Sequence, residues 1–421
     1  MVAFKFPMSS GKFIGEVTEE QLIELCKDHC CMFRVEIEDL VPTNDIENPI
    51  SSSKCRELKE AVKDNGRVVT ASHLVTTITE QDYFTYKHFY DWSSCKIFDL
   101  VAYKKGYLPT RFIEAVLKLY VDKTELKGVD GQELNYLLAK EMLNSTYGMT
   151  VTDIVREILE YDGENYHSNY DNMSEKEYKE FLETQIRRYN DNPYRFLFYP
   201  WGVWITAYAR ANLFSGIISC GRDYIYSDTD SIKITNPEKH EDYIKRYNEN
   251  ITQCLKEACE FHGIDFSMTC PKSKDGKEHP LGVWDFEGVY DEFKTLGAKR
   301  YLWRKGKKWN LTVAGVNKTM ACNYLIKKTH DVNRRRKHVG IKERVSPFDF
   351  FNMDLVVPKD QSGRNVLTYI DDETDGYVTD YLGNRGYFHE LSAIHMESSE
   401  YSFNPYDAFI EYLFTIKEEM W

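Results

Sequence analysis

Residues 224–234 read YIYSDTDSIKI, two strand-like runs on either side of a polar centre. Asp228, Thr229 and Asp230 are poor choices for the middle of a buried strand, so the pattern predicts a β-hairpin with these residues at its tip. Two carboxylates at such a tip can bind one cation from rigid strands. Mg²⁺ is held by one or two carboxylates together with substrate phosphates, and a pair of such ions about 3.5–4 Å apart assists an in-line phosphoryl displacement. An exposed acidic turn is the alternative for two such residues taken alone.

A helical hairpin is predicted over residues 109–147, where apolar residues recur with helical spacing on both sides of a short turn. On its second helix Lys140, Asn144 and Tyr147 are spaced i, i+4 and i+7, so they lie on one face. A cation, an amide and an aromatic ring on one face suit the phosphate, sugar and base of a nucleotide. We expect this helix to end near Tyr147, with Gly148 as the residue that follows its cap. A half-exposed helix face is the alternative.

A third pattern, FKTLGAKRYLW, occupies residues 293–303. If this run is a strand, Lys299 and Tyr301 point to the same side, where they suit a backbone phosphate or a sugar edge. Two residues spaced in this way are a weak signal alone.

The distribution of charge is uneven. The 421 residues carry a net charge of −13, which argues against binding to nucleic acid, and 42% hydrophobic residues exclude general disorder. Between Lys294 and Arg344, however, there are 16 Lys or Arg residues and 2 Asp or Glu residues. A basic stretch on an acidic body is typical of a groove for a polyanion. The run at 334–337 fits contact with a phosphate backbone without sequence readout, and a solvated loop is the alternative.

In this order the three patterns resemble the C-terminal motifs of family B DNA polymerases. Residues 140–148 are similar to the fingers motif, 226–231 to the second carboxylate motif of the palm, and 299–301 to the Lys-x-Tyr motif near the primer terminus. The insertion between the first two motifs, together with residues 205–210 and 297–301, is most similar to the protein-primed branch, which serves phages and linear plasmids.

The resemblance implies template-directed DNA synthesis by a DNA-directed DNA polymerase, a nucleotidyltransferase. Asp228 and Asp230 would be the catalytic carboxylates and would bind two Mg²⁺ ions, with Mn²⁺ as an alternative metal. The residues implied for nucleotide binding are Lys140, Asn144 and Tyr147. The residues implied for primer and DNA binding are Lys299, Arg300, Tyr301, Arg334, Arg335 and Arg336.

The implied fold is α+β, a right-hand polymerase fold with an antiparallel-sheet palm, helical-hairpin fingers and a thumb, truncated at its N-terminus. The implied segments are a palm remnant (1–17), an inserted α/β segment resembling the first terminal-protein region (18–108), the fingers (109–149), a second inserted region (150–197), the palm (198–317), and the thumb with the C-terminal region (318–421). Within the first insert, residues 32–37 alternate like a half-buried strand.

Two features of the family are missing from the sequence. The first palm motif, Asp-x-x-Ser-x-Tyr-Pro, has no match in residues 1–108, and the exonuclease domain that precedes the palm has no counterpart. We therefore expect the C-terminal part of a split or truncated enzyme, with both features on a separate N-terminal polypeptide. The other expected partners are a DNA template and primer, dNTPs and a terminal priming protein.

The expected location is the cytoplasm of a bacterial host, where a phage or mobile element would encode the protein. No run of about 18 apolar residues suggests a membrane span, and the apolar stretch at the N-terminus is too short for a secretory signal. Ten irregularly spaced cysteines are typical of a reducing compartment.

Two alternative functions stay open. One is a non-catalytic DNA-binding or assembly subunit that has lost the first catalytic carboxylate. The other is a reverse transcriptase, which also uses a Tyr-x-Asp-Asp turn, although Thr229 and the Lys140–Tyr147 face argue against it. Two further metal sites are weaker hypotheses: a zinc site among the crowded residues Cys26, His29, Cys30 and Cys31, and a cation site at 371–375, where an acidic turn is the simpler interpretation.

Overall fold

The computed structural model describes residues 1–155, 159–161, 166–168, 170, 173–192, 198–369, 377–379, 385–387 and 394–404. The chain divides into two compact units, the first comprising 1–154 and 186–285 and the second 155–185 and the residues from 286 onward. The division at Asp285 falls inside the segment predicted as the palm. The acidic cluster at 371–375 lies outside the described residues.

The helices are α1 (Glu19–Leu25), α2 (Glu80–Tyr86), α3 (Thr110–Glu125), α4 (Glu133–Thr150), α5 (Glu175–Asp191), α6 (Tyr199–Cys220), α7 (Glu241–His262), α8 (Lys318–His338), α9 (Pro347–Phe350) and α10 (Lys359–Ser362). The strands are β1 (Phe6–Pro7), β2 (Lys12–Val17), β3 (His29–Pro42), β4 (Cys55–Lys59), β5 (Val62–Asp64), β6 (Arg67–Thr79), β7 (Tyr90–Asp91), β8 (Ser94–Gly106), β9 (Leu159–Tyr161), β10 (Tyr166–Ser168), β11 (Tyr224–Asp228), β12 (Ser231–Ile234), β13 (Glu292–Thr295), β14 (Arg300–Lys305), β15 (Lys308–Val313), β16 (Val356–Val357), β17 (Arg364–Tyr369), β18 (Tyr377–Thr379), β19 (Arg385–Tyr387), β20 (Ile394–Ser399) and β21 (Tyr401–Ser402). Among these helices of the described residues, none is long and apolar enough to cross a membrane.

An antiparallel sheet with the strand order β1-β8-β3-β6-β4 organises the start of the first unit, and β2, β5 and β7 pair with β8, β6 and β3. The alternation predicted at 32–37 is confirmed, because Phe33, Val35 and Ile37 are buried in β3. They pack in one hydrophobic core with residues of α1, α2 and α6. Because β1 and β2 both pair with β8, residues 1–17 belong to the same sheet as the segment predicted to follow them.

The predicted helical hairpin is present as α3 and α4, which pack on each other. The buried residues of α3 include Ile113, Val116 and Leu117, as its helical spacing predicts. The predicted end of α4 was wrong, because the helix continues through Gly148 to Thr150. Thr150 lies against the backbone of Gly202 in α6. The sequence around Thr150 gives no sign of this contact, because Gly202 lies about fifty residues further along the chain. The contact occurs in the extra turn by which α4 exceeds the predicted helix.

Helix α6 connects the parts of the first unit, since it contacts α2, α4, β1 and β12. It begins at Tyr199 with Pro200 in its first turn, where a missing N–H costs nothing, and it ends at Cys220, followed by the cap residue Gly221, whose φ is 54°. Trp204 is fully buried in it. The helix therefore supports both the end of α4 and the β11–β12 hairpin.

The second unit contains the three-stranded sheet β13-β14-β15. Gly306 lies in the turn between β14 and β15 with a φ of 58°. Helix α8 packs on β15. The core between them includes Leu302, Leu311 and Leu325.

Candidate active site

The strands β11 and β12 form an antiparallel hairpin, as predicted, in which Asp228 is the partner of Ser231. Thr229 and Asp230 form its tip. The N–H of Asp230 donates to the carbonyl oxygen of Asp228 at 2.6 Å, and Thr229 has a φ of 55°. Because Thr is β-branched, this left-handed conformation costs roughly 1–3 kcal/mol and persists only where the surrounding structure enforces it. Such conformations are concentrated at functional sites.

Two hydroxyl groups hold Asp228. Thr229 Oγ1 donates to Asp228 Oδ1 at 3.1 Å, and Ser231 Oγ donates to the Asp228 carbonyl oxygen at 3.3 Å. Asp228 is half-buried, whereas Asp230 is exposed. The tip therefore offers two carboxylates two residues apart, one oriented by its neighbours and one open to solvent. Carboxylate oxygens are the hard donors that Mg²⁺ prefers, so the donor set fits this ion.

The base of the hairpin is closed by Asp223. Its carboxylate accepts hydrogen bonds from Asn236 Nδ2 at 2.7 Å and Thr235 Oγ1 at 3.0 Å, and it contacts His240 Nε2 at 3.0 Å. The bonds from Asn236, His240 and Thr235, in that order of effect, lower the pKa of Asp223. The carboxylate is therefore ionised at neutral pH, and it ties the end of β12 to the turn that precedes β11.

The hairpin packs on α6 where the helix has no side chain. A Cβ atom added at Gly216 would lie 2.5 Å from Ile232 Cδ1 of β12 and 3.1 Å from Trp284 Cζ2. The absence of a side chain at Gly216 therefore lets β12 pack closely on α6. A larger residue there must move the Ile232 side chain of β12 or the indole ring of Trp284.

Replacing Gly216 with Val is expected to lower the free energy of unfolding by about 1–3 kcal/mol, because the added side chain overpacks this contact. Urea denaturation followed by circular dichroism measures the change. Gly148→Val is the matched control, since Gly148 is also helical and a Cβ there meets nothing within 4 Å. Equal losses of unfolding free energy in the two variants would show that lower helix propensity causes the effect and that a clash with the hairpin does not.

Within the described residues, β11 and β12 pair only with each other. The hairpin therefore presents strand edges with hydrogen-bonding groups that another strand can pair with. This agrees with the expectation of a further palm strand beside the hairpin, which stays a prediction.

The predicted nucleotide-binding residues lie on α4. Lys140 is half-buried, and Asn144 and Tyr147 are exposed, so the face they share is open along its length. Lys140 Nζ lies 3.7 Å from Glu141 Oε1, a surface pair that contributes little and leaves the ammonium group available for a stronger anion. The face thus has the accessibility that a nucleotide-binding role requires.

Lys299 does not lie in a strand. The expectation that Lys299 and Tyr301 lie in one strand and point to the same side of it was therefore wrong. Lys299 occupies the turn between β13 and β14 with a φ of 51°, and β14 begins at Arg300. The preceding Gly297 has a φ of 116°, so the Gly-Ala-Lys sequence forms the turn itself. The local signal was the glycine two residues before the lysine, which favours a turn over a continuous strand.

Arg300 and Tyr301 are held by the second unit itself. Arg300 NH1 donates to the carbonyl oxygen of Phe403 at 3.2 Å, and the Tyr301 ring stacks on Phe293 with centroids 5.4 Å apart. Arg300 therefore has a structural role in joining β14 to the segment at 401–404. Its predicted contact with DNA is untested.

The three arginines at 334–336 lie in the last turns of α8, a position where cations are stabilised by the helix dipole. Arg334 and Arg335 are exposed, and Arg336 NH1 donates to the Glu343 carbonyl oxygen at 3.4 Å. The run is helical, so it is not a loop, and its contact with DNA stays a prediction. The helix holds the cations in a fixed arrangement on the surface of the second unit.

A buried polar cluster that supports α6 was missed from the sequence. Arg210 forms a bidentate pair with Asp82 of α2, at 2.8 Å from Nε and 3.0 Å from NH2. Trp204 Nε1 donates to Glu80 Oε1 at 2.9 Å, and the Glu80 carboxylate also accepts from the backbone of Cys31. Burial raises the pKa of Glu80, and these hydrogen bonds offset part of that effect. The signal available in the sequence was Glu80 and Asp82 in the first turn of a short helix; their side-chain partners Trp204 and Arg210 lie more than a hundred residues away.

Comparisons with known proteins give a match by structure alone. No family model and no curated protein matches the chain. Its structure is similar to that of phi29 DNA polymerase complexed with primer-template DNA and incoming nucleotide substrates, with a TM-score of 0.54, 14% identity, and coverage of 95% of this chain and 55% of that chain. A binary complex of phi29 DNA polymerase with primer-template DNA gives a TM-score of 0.52, 14% identity, and coverage of 96% and 55%. The chain has a polymerase fold. It spans about half the length of these solved structures.

This likeness confirms the predicted polymerase fold and its mixed helix and sheet composition. Phi29 DNA polymerase complexed with single-stranded DNA also matches, with a TM-score of 0.52, 15% identity, and coverage of 95% of this chain and 54% of that chain. At such identities the likeness concerns the fold, and the roles of individual residues rest on the site.

Proposed function

We propose that this chain carries the nucleotidyl transfer site of a template-directed DNA polymerase of the protein-primed family B type. The position of Asp228 and Asp230 at the tip of the β11–β12 hairpin, in a polymerase fold, supports the proposal most strongly. Its substrates would be dNTPs and a DNA primer on a DNA template, with the hydroxyl group of a terminal protein replacing the primer at initiation. A phage or mobile element in a bacterial host would encode it.

The reaction forms a bond between the primer 3′ oxygen and the α-phosphorus of the dNTP and breaks the bond from that phosphorus to the oxygen that bridges to the β-phosphorus. Pyrophosphate leaves, and the proton of the 3′ hydroxyl passes to solvent water. It requires no protein nucleophile. Positioning and neutralisation of the negative charge supply most of the catalysis in phosphoryl transfer. Two carboxylates on a hairpin tip, together with the Lys140 ammonium group on α4, suit that requirement.

Asp228 and Asp230 would hold the Mg²⁺ ions, with Mn²⁺ as a substitute. When bound, such ions neutralise charge on the phosphates and orient the attacking and leaving oxygens. Asp228 would give the site its orientation, because its half-buried carboxylate accepts a hydrogen bond from the Thr229 hydroxyl and its backbone carbonyl accepts one from the Ser231 hydroxyl. Asp230 would complete it from the exposed side of the tip.

The face of α4 would receive the dNTP. Lys140 would neutralise the triphosphate as a point charge. Asn144 and Tyr147 would bound the sugar and base, because they follow Lys140 along the same helix face. In the second unit, Lys299 and Tyr301 would bind the primer end, and Arg334 to Arg336 would contact backbone phosphates.

Two metal ions need more ligands than two carboxylates and a triphosphate provide. We propose that a third carboxylate comes from the first palm motif of the family, on a strand that pairs with an edge of the β11–β12 hairpin. The segment that carries it would also contain the exonuclease domain, either on a separate polypeptide or on a preceding part of a longer chain. The open edges of the hairpin support this arrangement.

Primer extension on DNA and RNA templates of identical sequence tests this proposal. With the complete site, we expect extension on DNA and at most weak extension on RNA. Preferential use of the RNA template would establish the reverse-transcriptase alternative. DNA binding without extension on either template, with the third carboxylate supplied, would establish the non-catalytic subunit.

Lys140→Ala and Lys299→Ala are expected to affect different substrates. The first should raise the KM for dNTP, because the charge that binds the triphosphate is lost, and the second should weaken use of the primer end. Steady-state primer extension with dNTP and primer varied independently measures both parameters. An identical pattern in the two variants would contradict the assignment of separate nucleotide and primer roles.

The affinity for DNA is expected to fall steeply with ionic strength, since the basic stretch at 294–344 would release counterions from several phosphates. Arg334→Ala and Arg335→Ala should each reduce the slope of log affinity against log salt by about one. Fluorescence anisotropy between low and moderate salt gives the slopes. Arg246→Ala, an exposed arginine on α7, is the control that should leave the slope unchanged; equal reductions in the control would remove the basic stretch from the DNA interface.

A further inference from the structure

A second cluster of metal-ligating side chains lies on the outer face of the large sheet. His73 of β6 is the direct cross-strand partner of Glu38 of β3, and Glu36 lies two residues away on the same face. One potential ligand atom from each of these three residues lies within 4.8 Å of the other two. Within the described residues, Glu36, Glu38 and His73 are the one set of three or more His, Cys, Asp or Glu side chains whose ligand atoms come this close together. The zinc site considered at Cys26, His29, Cys30 and Cys31 does not meet this criterion.

The two ring nitrogens of His73 face different carboxylates. Nδ1 lies 2.8 Å from Glu38 Oε1, inside the cluster, and is the nitrogen placed to bind a cation. Nε2 is buried and makes no hydrogen bond with the described residues, while Glu57 Oε2 of β4 lies 3.4 Å from it. Ligating histidines commonly donate their other ring N–H to a carboxylate, and Glu57 is placed to accept it.

The charge around the cluster favours a cation. Glu36, Glu38 and Glu57 bring three carboxylates onto adjacent strands, where like charges are unfavourable. Lys59 faces His73 across the strand pair and Lys96 faces Glu36, but Lys96 is paired with Glu16 at 3.1 Å. An excess of negative charge therefore remains around the imidazole.

A proton is the natural competitor for the ring nitrogen. The hydrogen bond with Glu38 raises the pKa of His73, so the pair also forms a simple ion pair when no metal is present. The simple pair leaves Glu36 without a role, and a bound cation gives Glu36 one as a ligand.

We infer that Glu36, Glu38 and His73 form a binding site for a divalent transition metal, Zn²⁺ above all, with Glu57 orienting the imidazole. Zn²⁺ accepts one imidazole nitrogen and carboxylate oxygens at about 2.0–2.2 Å, and its coordination completes with water. Ligands at that distance lie about 3.4 Å from one another in a tetrahedral site, which small rotamer changes of the two partly exposed carboxylates supply. The site would clamp β3 to β6 and is independent of the proposed transfer reaction.

Isothermal titration of Zn²⁺ into the metal-free full chain carrying Asp228→Asn and Asp230→Asn tests the site without a contribution from the hairpin tip. We expect one ion per chain. His73→Ala should weaken binding by at least 100-fold, and Glu57→Gln by about 10–100-fold, the usual effect of removing a supporting carboxylate. Co²⁺ in place of Zn²⁺ should give a visible absorption band that His73→Ala abolishes.

His88→Ala is the matched control, because His88 is an exposed histidine in the same unit. It should bind Zn²⁺ with the same affinity as the parent, which is the full chain with Asp228→Asn and Asp230→Asn. Glu36→Gln provides a second test should His73→Ala fail to fold, as judged by circular dichroism, since it keeps the shape of the side chain and removes one ligand charge. Absence of stoichiometric Zn²⁺ binding to the parent, or affinity unchanged in both Glu36→Gln and Glu57→Gln, would overturn the inference.

Discussion

Asp228→Asn and Asp230→Asn are each expected to reduce nucleotide incorporation by the complete enzyme by at least about 10²–10³-fold, the usual effect of removing one group that stabilises transition-state charge. An amide has almost the shape of a carboxylate but lacks the charge that holds a divalent cation. In Asp228→Asn the amide oxygen would still accept the hydroxyl hydrogen bond that Thr229 now donates to the carboxylate, so the hairpin should keep its conformation.

Affinity for primer-template DNA should stay within a few fold in both variants, since the carboxylates repel the DNA backbone and do not bind it. Single-turnover incorporation and anisotropy on the same preparations separate the two properties. Asp64→Asn, an exposed aspartate beside the β5–β6 turn of the same unit, is the matched control and should retain full activity. Near-normal turnover in either active-site variant would exclude that residue as a metal ligand.

The second large effect is expected when the chain is assayed for DNA synthesis without any added polypeptide. With DNA, dNTPs and Mg²⁺ it should show no detectable synthesis, because two carboxylates at one tip do not complete a two-metal site. Addition of a polypeptide that contains the exonuclease domain and ends in an Asp-x-x-Ser-x-Tyr-Pro strand should restore synthesis. The restored rate should depend on the Asp of that strand.

The control is the same polypeptide with that Asp replaced by Asn, which should bind the chain and restore nothing. Size-exclusion chromatography detects binding independently of synthesis. Robust synthesis by the chain alone would show that a carboxylate within residues 1–108, such as Glu36 or Asp39, completes the site, and it would remove the need for the additional segment.

The elements that were predictable from the sequence are those whose causes are local. The β11–β12 hairpin follows from apolar runs on both sides of Asp-Thr-Asp, and α3 follows from its apolar spacing. The alternation of Phe33, Val35 and Ile37 reflects a sheet with one face in the core. In each case neighbouring residues contain the whole signal.

The parts that were not predictable depend on residues far apart in the chain. Helix α4 continues past Gly148, and Thr150 packs on Gly202 of another helix. The pair between Asp82 and Arg210 joins segments 128 residues apart, and nothing near either residue indicates the other. The site on the outer sheet face depends equally on the register of β3 against β6.

Lys299 shows a different reason for an error. The resemblance to the Lys-x-Tyr motif suggested a strand, and the alternation argument was then applied to a residue that lies in a turn. Gly297 was the local indication, and it was given less weight than the motif. The position of Lys299 in a turn changes the direction of its side chain relative to Tyr301, but it leaves its proposed contact with the primer end open to the kinetic test.

Single-nucleotide addition in the completed enzyme tests the proposed function most directly. Each dNTP is supplied separately with a labelled primer on four DNA templates that differ only in the next base, and pyrophosphate release is measured in parallel. We predict that the primer gains one nucleotide only with the dNTP complementary to that base, with one pyrophosphate released per addition, and that Asp228→Asn abolishes both. Complete binding of DNA without addition of any dNTP, or addition that ignores the template base, would contradict template-directed synthesis at the β11–β12 hairpin.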